Sequence, residues 1–247
     1  MPRPGELTYY ERIGEDGRQH ALAKPFSDEE CGLYLMRIGA LFSVLPPPPA
    51  RVLECGCGTG WLAYLLARRG YRVVGTDVAP DAIRLARTNP ASADANAPQF
   101  LVADSEALAF DSAFDAVIFF DSLHHAIDEA AALRGAFRAL GPGGVCVALE
   151  PGRGHQRKSE AIEADFDVTD KDMPPSHICR VGRRVGFRRC RVLPAPQHLG
   201  KALYATDRLT GWRRRVLALP GVGSVAVLAI MLWKGPYCGI AVLQKDR

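Results

Sequence analysis

The chain has 247 residues, an apolar share of 48% and a formal net charge of +4. That length suits one large domain with elaborations, and that apolar share suits a packed core, so a disordered chain is excluded. The charge is too mild to argue for a nucleic-acid partner, and seven scattered cysteines, an odd number with no paired framework visible, favour reduced thiols over disulfides.

The N-terminus, Met1-Pro-Arg-Pro-Gly5, has no apolar signal core, so no export signal is expected and a cytoplasmic location is. Residues 1–26 are polar and show no clear period. Ser27 and Glu30 have the spacing of a capping box, predicting a helix to about Leu45 with Leu35, Ile38, Leu41, Phe42 and Leu45 on one face. Pro46 to Pro49 end it. The first 45 residues therefore read as an N-terminal helical extension, a lid packed on a core of residues 46–247.

The core alternates strand and helix. Strands are predicted at Arg51–Glu54, Tyr71–Asp77, Phe100–Ala103, Phe114–Phe120 and Val145–Glu150. Helices are predicted at Leu62–Arg69, closed by Gly70, at Pro80–Arg87 and at Asp128–Leu140, closed by the turn Gly141–Gly144. Residues 88–98 read as a loop. Beyond Glu150 the pattern loosens into a helix at Ser176–Arg184 and strands at Phe187–Val192 and Tyr237–Gln244. Apolar strands between amphipathic helices predict an α/β fold. It is a doubly wound, Rossmann-like, seven-stranded and mostly parallel sheet with helices on both faces.

The segment Arg51-Val-Leu-Glu-Cys-Gly-Cys-Gly-Thr-Gly60 is a buried strand, a loop with glycines at alternate positions and the start of a helix. Asp77 closes the next strand. This is the layout of a nucleotide-type cofactor site, in which glycines admit the ligand and the acid accepts from ribose hydroxyls. A dinucleotide loop wants Gly-x-Gly-x-x-Gly, but the third position is Trp61. Glu54, Asp77, Asp104, Asp121 and Glu150 all fall at or just past strand tips, where parallel crossovers place a ligand crevice.

With Glu54, Gly56, Gly58 and Gly60 in the loop, residues 51–150 resemble class I S-adenosylmethionine (SAM)-dependent methyltransferases of the small-molecule type, related in pattern to the quinone-biosynthesis enzymes. The resemblance implies SAM as cofactor. It assigns the loop to the methionine part of SAM, Asp77 to the ribose, Asp104 with Ser105 and Glu106 to adenine, and Phe120-Asp121-Ser122-Leu123-His124-His125 to the side of the transferred methyl. Leu140–Gly144 matches the turn before the fifth strand. More loosely, Glu150–His155 and Asp172–His177 are similar to segments of methyltransferases of glycan and secondary-metabolite assembly. The expected activity is methyl transfer to a small-molecule or glycan-type acceptor, at oxygen. The alternatives are C-methylation of a quinone-like or polyketide ring, and a SAM-binding partner or sensor without transfer activity.

Transfer to a hydroxyl needs a proton removed, and an imidazole titrates in the right range. His124, His125 and His155 are the candidate bases. Together with Glu150 they match no familiar ligand spacing, so no metal site is expected. Residues 195–235 form an insertion before the last strand. It runs from arginine-rich to apolar, with Val225–Trp233 its longest uninterrupted part, too short to span a bilayer. Either 208–233 touches an anionic membrane surface or lipid-linked phosphate, or it is a buried helix walling the acceptor pocket with its arginines solvated. The buried helix is the favoured expectation. The basic stretch lacks interleaved aromatics, which argues against nucleic acid.

Overall fold

In the first strand, β1 (Arg51–Cys55), Val52 and Leu53 point to opposite faces, and each is fully buried in a different apolar cluster. The same alternation separates Ala116, Ile118 and Phe120 from Val117 and Phe119 in β4 (Phe114–Phe120). A strand buried on both faces needs helices on both sides, and the chain supplies them. The computed structural model describes residues 2–89, 96–157, 165–196 and 238–247, with single positions between 215 and 232.

The remaining strands are β2 (Arg72–Asp77), β3 (Gln99–Val102), β5 (Leu140–Leu149), β6 (Arg189–Pro194) and β7 (Gly239–Gln244). Their order is β3-β2-β1-β4-β5-β7-β6. The first five are mutually parallel, and β7 runs antiparallel to both β5 and β6. The expected fold is therefore found: a seven-stranded, mostly parallel, Rossmann-like sheet. Strand order reverses beside β1 and β4, and ligands of such sheets bind outside the strand tips at that point.

Helices α1 (Pro4–Leu7), α2 (Tyr9–Arg12), α3 (Gly14–Leu22) and α4 (Cys31–Val44) precede the sheet. α5 (Trp61–Arg68) and α6 (Pro80–Thr88) follow β1 and β2, and α7 (Glu129–Ala139) and α8 (Pro175–Val185) follow later strands. Leu41, Leu62, Leu66 and Ile83 cover one sheet face, and Leu133, Ala136, Ile178 and Phe187 the other.

Several boundaries differ from the sequence expectation for local reasons. Ser27 does not cap α4; its hydroxyl donates to the His20 carbonyl, and Asp28 accepts from the Glu30 N–H instead. Residues 4–22, which show no clear period in the sequence, form three short helices. The glycine turn 141–144 is absorbed into β5, where the register against β4 shifts between Phe114 and Ala116. All seven cysteines are free thiols. Much of the 88–98 loop and most of the 195–235 insertion lie outside the described residues. In the insertion, Val225, Leu228 and Leu232 are 69%, 58% and 74% exposed. At these positions the expected buried wall of the acceptor pocket is not found. Among the described residues no helix is long and apolar enough to cross a membrane.

Candidate active site

The tips of β1, β2, β3 and β4 open into a cavity of about 490 Å³, within the size range of small-molecule sites. Of the sequence-nominated residues, Gly56, Gly58, Asp77, Asp104, Ser105, Asp121, His124, His125 and His155 line it. Glu54 and Gly60 lie outside the lining. Gly60 adopts φ +74° and caps the N-terminus of α5. Glu54 is buried beneath the loop, where it accepts a hydrogen bond from the Ala63 N–H in the first turn of α5. Burial pushes its carboxyl well above the usual range, and the charge of Asp77 adds to this.

The glycine loop is packed so closely that side chains would not fit. A Cβ on Gly56 (φ +70°) would sit 2.4 Å from the Ser122 Cβ, and one on Gly58 (φ +51°) 2.5 Å from the Tyr10 hydroxyl. Asp77 fixes the loop from the side: Oδ2 accepts from the Gly58 N–H at 2.8 Å and Oδ1 from the Ala79 N–H at 2.9 Å. Burial raises its pKa against these two bonds. Asp104 caps the short 3₁₀ turn Ser105–Ala107 by accepting from the Glu106 N–H.

Past β4 the chain turns sharply at Asp121, a non-glycine at φ +51°. Both its carboxylate oxygens are held by Arg37 of α4, at 2.7 and 2.6 Å. That guanidinium also donates to the Leu149 carbonyl and lies 4.3 Å over the Phe120 ring. Burial pushes the Asp121 pKa up, but Arg37 outweighs it and the carboxyl is held below its usual range. The sequence signalled Asp121 and missed Arg37, whose partner lies 84 positions away.

The three nominated histidines do come together. Glu150 accepts from the backbone N–H groups of Ser122, Leu123 and His124, and its Oε2 is 2.7 Å from His124 Nδ1. His124 Nε2 faces Asp170 Oδ1 at 3.6 Å, and His155 Nε2 lies 2.7 Å from the same oxygen. His125 Nδ1 is 2.5 Å from the Thr169 carbonyl, which fixes the proton on that nitrogen. Desolvation lowers the His124 pKa, yet the hydrogen bond and charge of Glu150, with Asp121 and Asp170, raise it overall. For His125 burial and the neighbouring His124 both act downward, to about 4. Asp170, with no sequence signal, was missed. His177 lies apart, paired with Glu129.

The N-terminal helices tie both sides of the cavity together. Arg3 donates to the Val168 carbonyl, and Glu6 accepts from the Thr169 N–H at 2.8 Å. On the other side Asp81 accepts from the Glu11 N–H, and Thr59 donates to the Ala21 carbonyl. Glu6, Tyr9, Tyr10, Lys24 and Tyr34 add to the lining.

Residues 53–148 match the family described as "Methyltransferase domain". Over 111 residues the chain is 34% identical to the ubiquinone biosynthesis O-methyltransferase of Paracidovorax citrulli, covering 44% of this chain and 47% of that protein. It is 42% identical to the demethylmenaquinone methyltransferase of Thermus thermophilus over 109 residues, 43% of this chain and 49% of that protein. The matched segment thus spans about half the length of these relatives. Among solved structures, a chain of the complex between the Haloferax volcanii Trm112 methyltransferase activator and a methyltransferase superposes with a TM-score of 0.64 at 17% identity. It covers 92% of this chain and 97% of that one, a likeness of fold.

Proposed function

We propose that the protein is a SAM-dependent methyltransferase acting on a small molecule with a hydroxylated, flat ring, the segment 53–148 that matches the methyltransferase-domain family forming its cofactor half. The single observation that carries this reading is the continuity of one cavity. It runs from Asp77 and Asp104, which this reading assigns to ribose and adenine, to His125, which it assigns to the acceptor.

The residues fit the cofactor. Gly56 and Gly58 line the cavity with bare backbone, and Asp77 and Asp104 present carboxylates to it. Bound there, SAM would supply an electrophilic methyl group on its sulfonium. The chain's own work is positioning, exclusion of water and proton removal. Alignment of the two reactants supplies roughly 7–11 kcal/mol of such a barrier. With its Nδ1 proton held by the Thr169 carbonyl, His125 offers Nε2 to the acceptor's proton; burial holds the imidazole pKa at about 4, below the range expected from sequence, so it is a weak base suited to an acidic ring hydroxyl. The strap of residues 2–22, tied to Thr169 on one side and Asp81 on the other, acts as the lid.

The acceptor half is walled by Tyr9, Tyr34, Phe119, Pro151 and Val168. Aromatic and apolar walls with a few polar groups favour a flat ring over a sugar. The ubiquinone-type relatives support oxygen as the atom methylated. The match to a demethylmenaquinone methyltransferase favours a second reading, transfer to a ring carbon. Both acceptors would be lipid-soluble. The exposed Val225, Leu228 and Leu232, which follow Arg213–Arg215 in the sequence, then suit peripheral contact with an anionic membrane surface. Partition onto anionic vesicles checks this, and partition unchanged in Leu228→Asp would count against it.

The test is transfer of labelled methyl from SAM to a panel of hydroxylated quinones, catechols and sugars. We expect label on the flat rings, and mass fragmentation separates oxygen from carbon. Saturable SAM binding with no transfer to any acceptor would favour a non-catalytic SAM-binding protein.

A further inference from the structure

We propose that His124, His155 and Asp170 hold a divalent first-row metal ion of zinc-like preference, with its open position facing the acceptor. This deepens the reading above and rests on it, because the ion's task is to bind the acceptor oxygen. The three residues come from separate parts of the chain: the turn after β4, the loop after β5 and the segment before α8. One ligand atom from each lies within 4.8 Å of the other two. Around a tetrahedral ion with bonds of ~2.0–2.1 Å, neighbouring ligand atoms stand about 3.3 Å apart. The observed separations of 2.7 Å and 3.6 Å bracket that value.

The surroundings are those of a ligand set. Glu150 already accepts from three backbone N–H groups, so it faces His124 Nδ1 as an acceptor and that nitrogen must carry the proton. His124 Nε2 is thereby turned toward the Asp170 carboxylate in a buried setting, 3.6 Å from Oδ1. A carboxylate behind a ligating imidazole is also the usual support of a metal-bound histidine. Two imidazoles and one carboxylate suit zinc, cobalt or iron(II) better than magnesium or calcium, which prefer oxygen donors. All three residues line the cavity, so three protein ligands leave a coordination position open to it, as in catalytic rather than structural sites. An acceptor hydroxyl bound there gives up its proton to Nε2 of His125, leaving a metal-bound oxyanion as the nucleophile. The sequence offered no warning, since spacings of 31 and 15 residues match no ligand motif.

The experiment uses the full chain, stripped with chelator and titrated with Co²⁺. Metal content and the visible d–d absorption of tetrahedral cobalt are read alongside SAM binding by calorimetry. Wild type should take up one ion. His155→Ala and Asp170→Asn should each bind at least ten-fold more weakly, with His177→Ala unchanged. His155 is one-third exposed, so its truncation leaves the core intact. Circular dichroism confirms folding of both variants. No stoichiometric uptake by wild type, or equal uptake by the variants, would overturn the proposal even if SAM binds normally. Variant-sensitive cobalt uptake without SAM binding would support the ion site and count against the methyltransferase reading instead.

Discussion

Removing the Arg37 guanidinium tests whether the turn that carries the candidate base is held from α4. In Arg37→Leu, Asp121 loses two short charge-assisted hydrogen bonds, of 2.7 and 2.6 Å, and the Leu149 carbonyl loses a third at 3.2 Å. The Arg37 side chain is 13% exposed and that of Asp121 32%, so the pair lies between a surface bridge and a fully buried one. Breaking a buried pair costs roughly 3–5 kcal/mol and a surface pair ~0–1. Partial access of water to Asp121 places the expected loss at about 2–3 kcal/mol. For a chain of this size that is a fall in Tm of roughly 5–10 °C. Asp121→Asn alone should cost about as much, and the double variant should cost less than the sum of the two, a coupling of ~1–2 kcal/mol by double-mutant cycle. The Asp121 carboxyl is held below its usual range, so the pair's contribution is present at neutral pH and lost as pH falls below about 4. A Tm change below about 2 °C in Arg37→Leu, with no coupling to Asp121→Asn, would refute this account of the turn.

Further outcomes follow from the same geometry. Gly56→Ala forces a Cβ to 2.4 Å from that of Ser122 at a positive φ, and should cost about 1–3 kcal/mol together with most SAM affinity; retained affinity by calorimetry would show that the loop is not the cofactor's bed. His125→Ala should lower kcat by ~10²–10⁴-fold with the SAM Kd unchanged, and full turnover would remove it as base. Burial raises the Glu6 carboxyl from 4.5 to about 7, so the folded strap binds that proton more tightly than the unfolded one. Its stabilising effect is fully present below about pH 4.5 and lost as pH rises through about 7, with a ceiling of roughly 3 kcal/mol. Proteolytic cleavage of residues 2–22 should therefore quicken between pH 5 and 7.5, less so in Glu6→Gln; identical pH profiles would contradict it.

What could be read in the sequence was whatever a short repeating pattern encodes. The strand–glycine–helix unit around Gly56, the acid after β2 and the apolar runs of β1, β4 and β5 each announce themselves within ten residues, and each is found where expected. What could not be read depends on distant partners. Arg37 becomes part of the site only because α4 crosses the end of β4, and Asp170 only because the segment before α8 returns over His124. The strap of residues 2–22 has little apolar period because it is fixed by polar ties to Thr169, Asp81 and Thr59 rather than by a buried face. Glu54 shows the converse: its place in the motif was plain, but its side chain serves the start of α5 and not the cavity.

Isothermal titration of the chain with SAM, and in parallel with Asp77→Ala, tests the central claim most directly. We expect saturable binding at one site per chain, weakened at least ten-fold in the variant because the loop loses its tie at Gly58 and the ribose its acceptor. Absence of binding by the wild-type chain, or equal binding by the variant, would contradict the account.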